Sequence, residues 1–153
     1  SFNLGFVGTY YIYDLPEFSA LQRFYLNCLN FNEHISQQDG QRSFSVLSDI
    51  SYLKSIEELF CQTNGNLFIA TWSFSESPLE LRKKFIPLIK NCSFILIAFL
   101  KEFKEVNNLE YFREFCQEFE EFDFIQTKIS NIDGENFYLF GKVKNASKQS
   151  KNL

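Results

Sequence analysis

The run Ser93 to Leu100, Ser-Phe-Ile-Leu-Ile-Ala-Phe-Leu, does most to limit what this chain can fold into. It is apolar at nearly every position, yet far too short to cross a bilayer. A run of that length without alternation reads as a strand buried on both faces, as in a parallel sheet covered by helices. Leu67 to Trp72, Leu-Phe-Ile-Ala-Thr-Trp, repeats the pattern. Two such strands need helices on either side of them, and the intervening sequence supplies the spacing.

Thr9 to Tyr13 is a shorter strand, aromatic and β-branched, that stops at Asp14. Pro16 suits the first turn of a helix. Phe18, Leu21, Phe24, Tyr25, Cys28 and Leu29 then recur at intervals of three and four, which predicts a helix from Pro16 to Asn30 with that stripe as its inner face. A polar loop follows, ending near Asp39-Gly40. Ser43 to Leu47 is a second short strand, closed by Ser48-Asp49, and Ile50 to Phe60 a short helix. Asn64-Gly65 marks a turn. After Trp72 comes the polar loop Ser73-Phe74-Ser75-Glu76-Ser77-Pro78. Ser77, Pro78 and Glu80 open a helix to about Lys90, with Pro87 set to kink or break it. Lys101 to Val106 reads as a charged loop, and Asn107 or Asn108 caps a helix from Leu109 to Phe122. Asp123 to Ser130 and Asn136 to Lys144 are two strands around Asp133-Gly134, with no helix between them. That makes the last pair antiparallel. Residues 145–153 form a polar tail. The expected architecture is one α/β domain over residues 1–144, with a mostly parallel sheet, helices on both faces and a C-terminal antiparallel hairpin.

The formal charge of −4 argues against a nucleic-acid backbone as partner. No segment is long and apolar enough to span a membrane. The four cysteines, Cys28, Cys61, Cys92 and Cys116, are too widely spaced for a zinc site and read as small buried hydrophobes, reduced in a cytoplasmic compartment. Twenty Phe and no Met fit an A+T-rich genome, and a chain without an initiating Met suggests a processed or excised segment. Gly5 and Gly8 precede a strand rather than follow one, so they are not a phosphate loop.

Ligands of open α/β sheets sit beyond the carboxyl ends of strands. Asp14 stands at such an end, where a carboxylate can accept hydrogen bonds from both hydroxyls of a ribose. The plain alternative is that Asp14 caps the next helix. Glu76, in the loop after the Leu67 strand, can serve as a base, or can simply favour the first turn of its helix. His34 is the only histidine. It lies in the polar loop after the first helix, from which it can reach a site or stay solvated. Trp72 can wall a site, stack on a sugar ring or belong to the core.

A terminal hairpin inserted into a parallel sheet is the mark of the class I S-adenosylmethionine-dependent methyltransferase fold. Tyr11-Ile12-Tyr13-Asp14-Leu15-Pro16-Glu17, Leu67 to Glu76 and Phe94 to Phe99 resemble the sugar O-methyltransferases of bacterial surface-polysaccharide clusters. The resemblance spans roughly residues 4 to 144. It implies S-adenosylmethionine as cofactor and a glycan or small-molecule hydroxyl as acceptor. It further implies cofactor contacts from Asp14, Leu15, Ser48, Asp49, Trp72 and Ser73, with Glu76 and His34 as the catalytic candidates. Phe99 and Lys101 fall at the end of the fifth strand of that fold, where the acceptor is contacted. The first strand and glycine-rich loop of the family do not occur here, so the expectation includes a complementing N-terminal segment or a homodimer. A non-catalytic interaction module on the same fold is the competing reading, and a flavodoxin-type nucleotide binder is the third.

Overall fold

The computed structural model describes residues 8–29, 32–33, 43–63 and 65–144. It is α/β, with parallel and antiparallel strands. The chain divides into two compact units, Ser1–Tyr52 and Leu53–Leu153. The expected features at Ser1 to Val7, His34, Asp39-Gly40, Asn64 and the 145–153 tail lie outside the described residues.

The first unit contains β1 (Thr9–Tyr13), α1 (Pro16–Cys28), β2 (Asn32–Glu33) and β3 (Ser43–Leu47), with a 3-10 turn at Ile50–Tyr52. Its sheet runs β1-β3-β2, all parallel, with Thr9 opposite Ser43 and Tyr13 opposite Leu47. The central strand β3 is buried on both faces, from Ser43 to Val46. Helix α1 reverses the expected facing. Ser19 is 2 % exposed, whereas Phe24 is 66 % exposed and Phe18, Leu21, Tyr25 and Leu29 are also out. The reason is polar. Ser19 Oγ lies within reach of the carbonyls of Asp14 and Leu47 at 3.2 and 3.3 Å. Arg23 Nη2 donates to Val46 O at 3.0 Å, and its Nε pairs with Glu33 at 2.7 Å. The strand-end carbonyls, not the apolar stripe, fix which side of the helix faces the sheet.

The second unit contains α2 (Leu53–Gln62), β4 (Leu67–Thr71), α3 (Ser73–Glu76), α4 (Leu79–Lys90), β5 (Phe94–Leu100), β6 (Glu102–Phe103), β7 (Val106–Asn107), α5 (Asn108–Glu118), β8 (Phe122–Lys128) and β9 (Asn136–Val143). Its main sheet runs β4-β5-β9-β8. β4 and β5 are parallel, while β9 lies antiparallel to both of its neighbours, β5 and β8. Among the described residues no strand pairs with the second edge of β4, and Leu67 and Ile69 on it are exposed. This strand is therefore not buried on both faces as its composition suggests.

Local differences have local causes. The loop expected after Trp72 contains the single turn α3. α4 runs through Pro87 on its exposed side rather than ending there. Lys101 to Val106 folds as the small β6–β7 hairpin, turned at Lys104 with φ 53°. Asn107 caps α5 as expected, its Oδ1 accepting from Glu110 N at 3.2 Å. α5 stops at Glu118, and Phe119 and Phe122 carry the chain into β8.

The core of this unit is a continuous aromatic layer. Phe99 and Phe112 sit 4.3 Å apart, Phe115 and Phe119 4.2 Å, and Phe74, Phe85 and Phe124 extend the layer outward. The cysteines divide. Cys92 is buried, Cys116 is half-buried, and Cys28 and Cys61 are exposed, which corrects the reading of the latter two as core residues. Burial pushes the Cys92 thiol up to about 12 and the Cys116 thiol to about 11, from an ordinary 9.0. Because folding resists their ionisation, stability is full below pH 9.0 and falls as pH rises toward those values. Iodoacetamide at neutral pH should therefore label Cys28 and Cys61 quickly and leave Cys92 untouched until the chain unfolds. Equal labelling rates by mass spectrometry would contradict the packing described.

Candidate functional site

The carboxyl edge of the first unit's sheet brings four of the expected residues together. Asp14 N donates to Leu47 O at 3.1 Å, which locks the end of β1 to the end of β3. The Asp14 carboxylate stands just beyond. Its Oδ1 accepts from Leu15 N and its Oδ2 from Gln22 Nε2, both at 2.8 Å. Two donors leave spare lone pairs, since a carboxylate has about four acceptor positions. Leu15 contributes its amide to this arrangement, and its side chain is exposed. Ser48 and Asp49 follow β3 and are both exposed. Asp49 Oδ1 accepts from Ser51 N at 2.8 Å, opening the 3-10 turn. That bond holds its carboxyl below the ordinary range. Asp14 and Asp49 thus each support local backbone, and each keeps acceptor capacity.

In the second unit the carboxyl ends of β4, β5 and β8 share an edge with the amino end of β9. Trp72 stands at the end of β4 with φ 62° and ψ −39°. That backbone region is unfavourable for a bulky side chain and persists only where the surroundings fix it. They do so twice: Trp72 N donates to Ala98 O at 2.7 Å, and its Nε1 donates to Asn136 Oδ1 at 2.9 Å. Asn136 is 2 % exposed and passes the chain of bonds on, its Nδ2 donating to Asp133 O at 2.9 Å. Ser73 and Glu76 are exposed on α3. Lys101 at the end of β5 pairs with Glu135 at 2.6 Å, which raises the lysine and lowers the glutamate from their ordinary values. Phe99 is fully buried between Phe112 and Phe137, so it cannot contact an acceptor; alternation along β5 turns it into the core.

Two residues of this region escaped the sequence reading. Asn136 was visible only as the start of a strand. Arg82 reads as part of the polar face of α4, yet it is 0 % exposed. Its Nε donates to Ser77 O at 3.0 Å, its Nη1 to Asn108 Oδ1 at 2.8 Å and its Nη2 to Ser75 O. The guanidinium lies 4.6 Å from the Tyr111 ring centre. The only legible signal was the basic Arg82-Lys83-Lys84 run, which does not say which of the three turns inward.

No protein-family model, curated protein or solved structure matches this chain. Among the described residues, no helix is long and apolar enough to cross a membrane.

Proposed function

We propose that this chain is a methyltransferase domain that transfers a methyl group from S-adenosylmethionine to a sugar hydroxyl, in the making of a surface polysaccharide. The observation that carries the reading is the placement of β9. The last strand of the hairpin inserts antiparallel between β5 and β8, the arrangement that marks the class I methyltransferase fold. A Rossmann-like sheet goes with that fold.

Asp14 fits the ribose of such a cofactor. Its carboxylate stands at a strand end with lone pairs left over after Leu15 and Gln22 are served. Ser48 and Asp49 lie at the neighbouring strand end, where the adenine would be held. The cofactor, when bound, supplies an electrophilic methyl group on sulfonium. The work of the chain is orientation, which dominates reactions of this kind, and removal of one proton. Glu76 is exposed on α3 and is the residue to take the proton of the attacking hydroxyl. Trp72, fixed from two sides, offers an aromatic wall for the sugar ring.

Calorimetric titration with S-adenosylhomocysteine tests the reading. Micromolar binding is expected, weakened at least tenfold in Asp14→Ala, as follows from losing charge-assisted hydrogen bonds of about 1.5–3 kcal/mol. No heat with the wild-type chain, and none with a chain extended at the N-terminus to supply the absent strand and glycine-rich loop, would end the enzyme reading. It would favour the second reading, a non-catalytic association module, which the exposed Phe18, Leu21, Phe24 and Tyr25 of α1 support.

A further inference from the structure

We infer that Arg82 is the positioning residue for Glu76, the carboxylate to which the proposed reaction assigns the proton; the inference rests on that reading. Arg82 is wholly buried, and among the described residues it forms no ion pair with a carboxylate. Burying a guanidinium in this way is costly. Its partners show what it holds. Two of the three acceptors in its fork are the carbonyls of Ser75 and Ser77, the residues on either side of Glu76. The third, Asn108 Oδ1, ties the fork to the first residue of α5, and Tyr111 one turn later lies against the guanidinium.

The remaining bonds of the turn complete the clamp. Glu76 N donates to Trp72 O at 3.0 Å, and Ser75 Oγ donates to the same carbonyl at 2.8 Å. With the carbonyls before and after it held inward and its own amide bound, Glu76 has its backbone fixed on three sides. Its side chain is left in the open at the carboxyl edge of β4. A four-residue helix could not hold this geometry alone, because a single turn forms few bonds for the dihedrals it fixes. A planar fork can hold two carbonyls and an amide oxygen at once, whereas a lysine ammonium cannot reproduce that spacing.

The test is amide hydrogen exchange in Arg82→Lys, with Tyr111→Leu as the milder variant should the first not fold. Protection at the Glu76 and Ser77 amides is expected to fall by about tenfold in Arg82→Lys and about threefold in Tyr111→Leu, while the amides of β5 and β9 keep theirs within about twofold. Emission from Trp72, the single tryptophan, should shift in the same variants, because its carbonyl anchors the turn. Unchanged protection at Glu76, or an equal loss throughout the second unit, overturns the inference: Arg82 would then be an ordinary structural residue. Titration of the wild-type chain with S-adenosylhomocysteine runs alongside. Absence of binding by it and by an N-terminally extended chain removes the methyltransferase reading and the chemical role of Glu76 with it, and the exchange pattern still decides whether Arg82 holds the turn.

Discussion

Phe112→Ala should lower the unfolding free energy of the second unit by about 4 kcal/mol. Phe112 has no exposed surface and sits at the junction of the aromatic layer, 4.3 Å from Phe99, 5.1 Å from Tyr111, 6.0 Å from Phe115 and 6.3 Å from Phe74. Truncation removes the transfer energy of a whole ring and leaves a hole that four neighbours, themselves held by strands and helices, cannot close. Rings also lose their edge and face contacts, which add about 0.5–1.5 kcal/mol per pair. Urea unfolding followed by Trp72 fluorescence measures it, since the single tryptophan lies in this unit. Phe112→Leu should cost much less, about 1 kcal/mol, because volume is largely kept. A loss below that in the alanine variant would mean that the layer is loosely packed.

Gly141→Val should cost about 3 kcal/mol, for the opposite reason. Gly141 lies in β9 opposite Ile95 of β5 and Phe124 of β8. A Cβ there would meet Phe124 Cε1 at 2.6 Å and Ile95 Cβ at 3.2 Å. The ring cannot swing away freely, because it stacks on Phe122 at 5.7 Å and meets Phe115 at 5.9 Å. Gly65 is the control. It has φ +80° but nothing within 4 Å of a built Cβ, so Gly65→Ala carries only the backbone penalty, about 1 kcal/mol. Equal effects at the two positions would show that space at Gly141 is not the constraint.

Much of the fold was legible because the signals were local. Thr9–Tyr13 and Ser43–Leu47 are strands with the expected bounds, and the Asn107 cap and the terminal hairpin stand where the residues place them. What escaped is what depends on partners. The stripe of α1 has helical period, but periodicity does not say which face meets a sheet when Ser19 and Arg23 find carbonyls on the other side. The burial of Arg82 depends on acceptors from Ser75, Ser77 and Asn108, brought together only by tertiary structure. The left-handed backbone of Trp72 is likewise set by Ala98 and Asn136, far away in sequence. Asp14 in the first unit, and Glu76 and Trp72 in the second, are candidates that strand ends alone suggest. Their supports, Gln22, Arg82 and Asn136, could not.

The position of β9 also orders the making of the protein. β5 has its parallel neighbour β4 early in synthesis, but its other edge stays open until Asn136–Val143 is made, after α5 and β8. Among the described residues β8 has no strand partner before then. A ribosome-bound chain therefore carries an apolar strand with one free edge from the making of Leu100 until Asn136–Val143 follows, a known invitation to pair with other chains. Chains cut before Asn136 should aggregate rather than fold, and the window for chaperone contact closes only when the last strand enters between two that precede it.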